Sequence, residues 1–277
     1  MTGTGLAKPR LNFSRARKIL VALAIPALIW PQAAPTAAVG TEPEPVAQGT
    51  ARRVGDGDTL VLATGTQVHL VGIQAPKLPL GRRGFKTWPL AGEAKAALKK
   101  LALEKKLRLS YGGRRIDRHG QLLAHLYDEK RNWIQGMLLA QGMAWVYTFP
   151  NNRGRAAEML ALGQKARVGW RGIRRNPYYR IRGNLETAGF IGTFQLVEGL
   201  VRKVAVVRGM AHLNFGADWK TNFTVAVSPR NMRRFKRGWN RIESFEGTRI
   251  RVRGWLKSYN SPMIEATHPE QIERLAP

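Results

Sequence analysis

One stretch constrains the fold of this chain more than any other: Val54-Gly-Asp-Gly-Asp-Thr-Leu-Val-Leu, followed by Val68-His-Leu-Val-Gly-Ile-Gln-Ala-Pro-Lys. An Asp-Gly-Asp alone reads as a turn, since both residue types favour tight local conformations. Here the turn leads into two β-type runs, Thr59 to Ala63 and Gln67 to Ile73, with Gly65 in the turn between them. The pair predicts a hairpin. Downstream, Leu90, Ala94, Ala97, Leu98 and Leu101 recur at helical spacing with lysines on the other face, predicting a helix over Leu90 to Leu103. Leu107 to Tyr111 and Leu122 to Tyr127 read as strands, Trp133 to Ala140 and Arg155 to Ala166 as helices, and Ala144 to Tyr147 as a short strand between them. That order predicts a small OB-fold-type barrel with helices packed on it.

Three further blocks sharpen the reading: Trp88-Pro-Leu-Ala-Gly-Glu-Ala-Lys, Asp117-Arg-His-Gly-Gln and Gly142-Met-Ala-Trp-Val-Tyr. Together with the opening stretch, in this order and spacing, residues 51–170 resemble the staphylococcal nuclease (thermonuclease) family. The resemblance implies metal-assisted phosphodiester hydrolysis. Calcium would sit on two Asp side chains and a backbone carbonyl, a Glu would orient or activate water, and two Arg residues would hold the phosphate. Such a division of labour is physically sensible, because calcium takes hard oxygen ligands and phosphoryl transfer rests on positioning and charge stabilisation.

Carried onto this chain, the pattern is mostly broken. The first metal Asp matches Asp58, with Asp56 nearby, but the second falls on Gln74. The carbonyl position matches Ala75, while the catalytic Glu falls on Lys77. The two phosphate arginines fall on His69 and Gln121, and the Tyr before the glycine of the third block falls on His119. Arg118 keeps a positive charge, and Tyr147 remains as a phosphate-side hydroxyl. Losing one transition-state donor costs on the order of 10²–10³ in rate, and losing a general base on the order of 10²–10⁴. These losses do not add simply, but together they predict an impaired nuclease. Arg82, Arg83, Arg114 and Arg115 lie in adjoining segments as candidate phosphate ligands. His69 and His119 read as polar strand and loop residues rather than as new catalysts, and Trp133 and Trp145 as core.

Charge is the second constraint. The chain has 46 Lys and Arg against 18 Asp and Glu, a net of +28. Residues 51–170 hold 21 of the positives and 8 of the negatives. Clustered cations of this kind fit a polyanion, because they displace counterions condensed on phosphates; charge does not separate DNA or RNA from another polyanion or an anionic membrane surface. Without cysteine there is no disulfide, thiolate catalyst or Cys-ligated metal. At the N-terminus, Lys8, Arg10, Arg15, Arg17 and Lys18 precede the uncharged run Ile19 to Trp30, and small residues follow as far as Ala38. Residues 1–38 therefore read as a signal peptide or a membrane anchor, and the protein as exported: periplasmic or secreted, or held at the inner membrane through residues 19–30. Removing them takes five positives and no negatives, so the surplus belongs to the mature protein.

Residues 39–50 read as a spacer and 171–188 as a basic linker. The remainder, 189–277, reads as a second, smaller OB-like β-barrel, with strands over Phe194 to Val207, His212 to Phe215, Phe223 to Val227, Arg249 to Trp255 and Met263 to Thr267, and a short helix over Pro229 to Lys236. Its Leu213-Asn-Phe-Gly-Ala-Asp-Trp and Arg253-Gly-Trp stretches resemble the C-terminal domain that accompanies nuclease-like domains in some exported bacterial proteins. The fold class is β-rich α+β. Alternation in Arg249-Ile-Arg-Val-Arg predicts one buried face and one wet, basic face, making Arg251 and Arg253 candidate nucleic-acid ligands, with Lys257, Tyr259, Arg233, Arg234, Lys236 and Arg237 beside them. Against these stand Phe215, Trp219, Phe223 and Trp255 as core. His268 and Glu270 are a metal pair by type only. Three functions follow as expectations: an impaired nuclease-like polyanion binder without a cofactor, an active calcium-dependent nuclease, and an envelope protein binding anionic lipid.

Overall fold

Strand β1 (Ala47–Asp56) opens the fold, followed by β2 (Thr59–Leu62), β3 (Gln67–Leu70), β4 (Gly72–Gln74), helix α1 (Ala91–Ala102), β5 (Lys106–Ser110) and β6 (Leu122–Tyr127). The computed structural model describes residues 47–217, 222–235 and 241–276. The leader and anchor reading, the spacer as far as residue 46, and Trp219, Lys236 and Arg237 lie outside the described residues. Among those described, no helix is long and apolar enough to cross a membrane.

β1, β2, β3, β6 and β5 close into a five-stranded barrel in that order. All neighbours are antiparallel except β3 and β6, which run parallel with Leu70 opposite Ala124. This is the OB-type barrel expected from the sequence. The predicted strand Gln67 to Ile73 is broken in two at Gly72, whose φ of +86° favours glycine and whose missing Cβ leaves room for Met159. β4 leaves the barrel there and pairs instead with β7 (Trp145–Tyr147), opposing Gln74 to Trp145. That excursion brings Gln74, Ala75 and Lys77 back over the β1–β2 turn.

Helix α1 covers the barrel with Ala91, Ala94, Leu98 and Ala102, one buried stripe at three- and four-residue spacing. Glu93 in its first turn and Lys99 and Lys100 in its last complement the helix dipole. Gly57 lets the β1–β2 turn press against this helix: a Cβ there would lie 2.6 Å from the Ala75 methyl and 2.7 Å from that of Ala94. Helix α2 (Ile134–Ala140) packs against α1 and β6, and α3 (Ala156–Val168) against α2 and the short strand at Trp145–Tyr147. Leu60, Leu70, Leu98, Leu107, Leu109, Leu126, Ile134 and Leu138 are fully buried in the shared core, each contributing about 1.5–3 kcal/mol relative to an exposed side chain. Trp133 and Trp145 are buried, as expected of core residues.

Residues 171–188, read as a linker, are folded. Two single-turn 3₁₀ segments, Gly172–Arg175 and Pro177–Tyr179, bury Ile173 and Tyr179. Tyr179 packs edge-on to Trp145 at 4.7 Å and donates its hydroxyl to the Pro89 carbonyl. The two-residue strand β8 (Arg182–Gly183) then leads into a sheet-rich C-terminal region: β9 (Phe194–Leu200), β10 (Lys203–Val207), β11 (Met210–Asn214), β12 (Thr224–Val227), helix α4 (Pro229–Met232), β13 (Arg249–Tyr259), β14 (Ser261–Glu265) and β15 (Ile272–Arg274).

Its hydrogen-bonded path runs β10-β11-β12-β14-β13-β9-β8, with β15 on β13. The two ends of that path, β9 and β10, are consecutive halves of the run Phe194 to Val207, read from sequence as one strand. That run breaks at Val201 and Arg202, so that β9 pairs with β13 and β10 with β11, as the two halves of β1 pair with β5 and β2 in the first barrel. Order and sense otherwise follow the first barrel, including one parallel pair, β12 with β14.

Barrel and C-terminal sheet belong to one compact unit. Trp88, Trp145, Ile173, Tyr179, Phe194 and Leu196 form a buried seam between them, with the Trp255 ring tilted against Trp88 at 5.8 Å. His268 bonds Thr148 across the seam (Nε2 to Oγ1, 2.7 Å), and Arg153 donates to Glu270 at 2.7 Å.

Candidate functional site

The β1–β2 turn places Asp56 and Asp58 side by side beneath the segment that follows β4. Asp58 is fully buried and Asp56 is 3% exposed. Two buried carboxylates need a counter-charge, and Lys77 supplies it. Its Nζ donates to Asp58 Oδ1 at 2.6 Å, to Asp58 Oδ2 at 2.9 Å and to Asp56 Oδ2 at 3.3 Å. The Ala75 N–H donates to Asp58 Oδ2 at 2.7 Å, and Thr59 Oγ1 lies 3.3 Å from Asp58 Oδ1. His69 Nδ1 stands 3.8 Å from Asp58 Oδ1.

The charges settle accordingly. Burial alone would raise the Asp58 carboxyl, but the Lys77 ammonium outweighs it, helped by His69, and holds the group well below the usual carboxylate range. Burial would lower Lys77; the two carboxylates outweigh it and raise the ammonium instead. Asp56 takes the other share. Its own burial and the neighbouring Asp58 charge push it up from 3.8 to about 6. Burial pulls the His69 imidazole below its ordinary value, against the pull of Asp58.

A stability prediction follows from Asp56. A carboxyl raised in the folded state favours folding while protonated, an advantage complete below 3.8 and lost as pH rises through about 6. Asp56→Asn keeps the acceptor Oδ1 and removes the titration. Relative to this variant, the native protein is expected to lose about 3 kcal/mol between pH 4 and pH 7.5, from a shift of roughly two units at about 1.4 kcal/mol each. Urea unfolding at the two pH values measures it; parallel behaviour of the two proteins would refute the coupling.

The family's calcium does not fit these residues. An ammonium already bridges the carboxylates, and Gln74 turns its amide nitrogen inward, donating to Ala75 O at 3.0 Å and toward Asp58 Oδ2 at 3.4 Å. The Ala75 carbonyl is thereby engaged by a donor. Among the described residues, no group of three His, Asp or Glu is arranged for a metal. Nor is there a general base at the Lys77 position.

Outside this cation-filled turn lies a cleft of about 1010 Å³. Asp56, His69, Gln74, Lys77 and Gln121 reach its floor, and Arg53, Arg82, Arg114 and Arg118 its walls. Tyr147 and Phe149 add aromatic surface, and Trp255 closes one side from the C-terminal sheet. The sequence-predicted residues divide. Arg82, anchored on the Leu78 and Pro79 carbonyls, Arg114, Arg118 and Tyr147 line the cleft. Arg83 and Arg115 are exposed outside it, Arg115 over the Tyr111 ring at 5.1 Å. Gln121 is tied to Gln67 at 3.0 Å, and His119 accepts from Arg118 at 3.0 Å.

Arg251 and Arg253 need correction. The expected wet face of β13 is covered: Arg251 is bonded to Glu198 at 2.6 Å, and Arg253 is 4% exposed and paired with Glu273. Alternation identified the residues sharing a face but not β9 and β15, whose glutamates engage it. His268 and Glu270 are occupied by Thr148 and Arg153 across the seam. Sequence reading missed Arg53 and Trp255 as cleft residues. The basic run Arg52-Arg53 before the turn was the one available signal for the first; Trp255 gave none.

A closed OB-type barrel with a basic cleft beside an Asp-bearing turn defines a nuclease-like class of protein. Residues 67–174 match the family model of the Staphylococcal nuclease homologue; β1 and β2, which precede the match, complete the barrel. This part of the chain is therefore a staphylococcal nuclease-like domain, with a nuclease-like function and an association with nucleic acid at the level of the family. No curated protein matches the chain.

Proposed function

We propose that this is an exported nuclease-like protein that binds nucleic acid in the basic cleft and has lost most or all of its phosphodiester chemistry. The observation that carries this reading is Lys77. An ammonium 2.6 and 2.9 Å from the Asp58 oxygens fills the place where this fold would need a divalent cation. It also replaces the carboxylate that would activate water. The ligand reading draws support from four cleft arginines and three aromatic side chains around one cavity, the combination suited to backbone phosphates and stacked bases.

Labelled single-stranded DNA and RNA, titrated over a salt series, test the proposal. If Arg53, Arg82, Arg114 and Arg118 each neutralise one phosphate, log K falls against log salt with a slope of about −3, at roughly 0.7 per phosphate on single strands. A flat dependence would sink the cleft reading. Calcium-stimulated cutting abolished by Asp58→Ala would instead establish the active nuclease. Pelleting with anionic vesicles and no preference for nucleic acid would establish the envelope reading.

A further inference from the structure

Four arginines meet where α3, the turn after it and the C-terminal sheet come together. Arg167 lies near the end of α3, Arg174 in the 3₁₀ turn, and Arg251 and Arg253 on one face of β13. Two carboxylates answer them. Glu198 takes Arg251 at 2.6 Å through Nε. Glu273 is shared: Arg253 pairs with it, Arg251 lies at 3.4 Å and Arg167 at 3.9 Å. Arg174 pairs with no carboxylate among the described residues. Four positive groups against two negative leave a surplus of two.

The hydrogen bonds are as incomplete as the charge. Nε and Nη1 of Arg174 and Nε of Arg253 are buried with no partner among the described residues. Each such donor is costly, the more so when charged. A buried Lys or Glu escapes this cost by neutralising; a guanidinium does not shed its proton in a folded protein. Burial and mutual repulsion bring Arg174 and Arg253 down only to about 9, so both stay charged at neutral pH. Water satisfies donors but leaves the surplus charge. An oxyanion does both, since guanidinium forks match its paired oxygens.

We propose that this arginine cluster is a second anion site, separate from the cleft, built for a tetrahedral oxyanion of the phosphate class. None of the four arginines lines the cleft. Arg167 and Arg251, with side chains 19% and 13% exposed, form its open rim; Arg253, 4% exposed, and the buried Nε and Nη1 of the half-buried Arg174 form its depth. The anion is either free phosphate or a phosphate of a nucleic-acid chain.

The test is thermal unfolding of the full chain against inorganic phosphate, with chloride added to hold ionic strength constant. A saturable rise in Tm on the order of 4 °C is expected. Arg174→Met keeps the aliphatic stem, removes the charge and the orphaned donors, and should abolish that rise while raising Tm in phosphate-free buffer. Should this variant fail to fold, Arg167→Gln on the open rim gives the same readout. No phosphate response beyond that to chloride, or an unchanged response in the variant, overturns the site. A labelled oligonucleotide then names the source. Stronger displacement by phosphate in the native protein than in Arg174→Met assigns a nucleic-acid phosphate; equal displacement in the two assigns the free anion, and both uphold the site. The unfolding assay needs no nucleic acid, and its Arg174→Met arm separates this site from the cleft.

Discussion

Replacing Lys77 with methionine is expected to destabilise the protein by about 3–5 kcal/mol at pH 7, the cost of leaving a buried charge without its partner, and to make its stability respond to calcium. Asp58 is fully buried and its carboxylate depends on that ammonium. The variant leaves Asp58 and Asp56 facing each other with no cation between them. The carboxyl escapes part of the cost by taking up a proton, so the loss should shrink on acidification. A carboxyl held below its ordinary 3.8 contributes stability above that pH and loses it as pH falls through the folded value. The gap between native and variant proteins should therefore narrow as pH falls below about 4. Calcium entering the vacated place would return about 2.7 kcal/mol at 100 times its Kd; the native protein, with the place filled, should show no such gain. Denaturant unfolding with and without calcium decides the matter. A variant as stable as the native protein, or one indifferent to calcium, would mean that Lys77 is not a resident cation.

This role of Lys77 marks the limit of what the sequence disclosed. The position was legible, because the spacing from Asp58 through Gln74 and Ala75 places a lysine where the family's carboxylate belongs. The side chain's reach to two carboxylates was not, since it depends on β4 leaving the barrel and on Gly57 letting the turn approach Ala75. The barrel strands β2, β5 and β6 lie within one residue of where the sequence pattern puts them. β1 carries no clean alternation because its register shifts between Ala51 and Arg53 and again between Val54 and Asp56, and each irregularity exchanges the faces. The basic run after α3 looked like a linker by composition, yet Ile173 and Tyr179 are held by aromatic partners from both halves of the chain. Local pattern does not encode such partners. The same holds for Arg251 and Arg253, whose face is set by β13 and whose covering comes from glutamates 53 and about 20 residues away in sequence.

The second large effect is a gain of chemistry. Changing His69→Arg, Gln74→Asp, Lys77→Glu and Gln121→Arg together is expected to raise calcium-dependent cleavage of DNA by about 10³-fold or more over the native protein, given losses on the order of 10²–10³ for a transition-state donor and 10²–10⁴ for a base. The four must change as a set. Lys77→Glu alone would add a third carboxylate to Asp56 and Asp58 without the ammonium that now balances them, and Gln74→Asp alone would add charge beside an occupied cation place. His69 and Gln121 both face the same cleft as Lys77, so restored arginines would have room to reach a phosphate bound there. Freed Ala75 carbonyl and Asp58 oxygens would then be available to the metal, as Lys77 and Gln74 no longer hold them. Cleavage measured with calcium and with chelator, for the quadruple variant and for the same variant carrying Asp58→Ala, separates the outcomes. Calcium-dependent cutting that vanishes with Asp58→Ala means the scaffold still positions the reaction and Lys77 with its neighbours silenced it. A folded, calcium-binding quadruple variant that does not cut would mean the cleft itself has diverged, and that the aromatic wall closed by Trp255 serves binding alone.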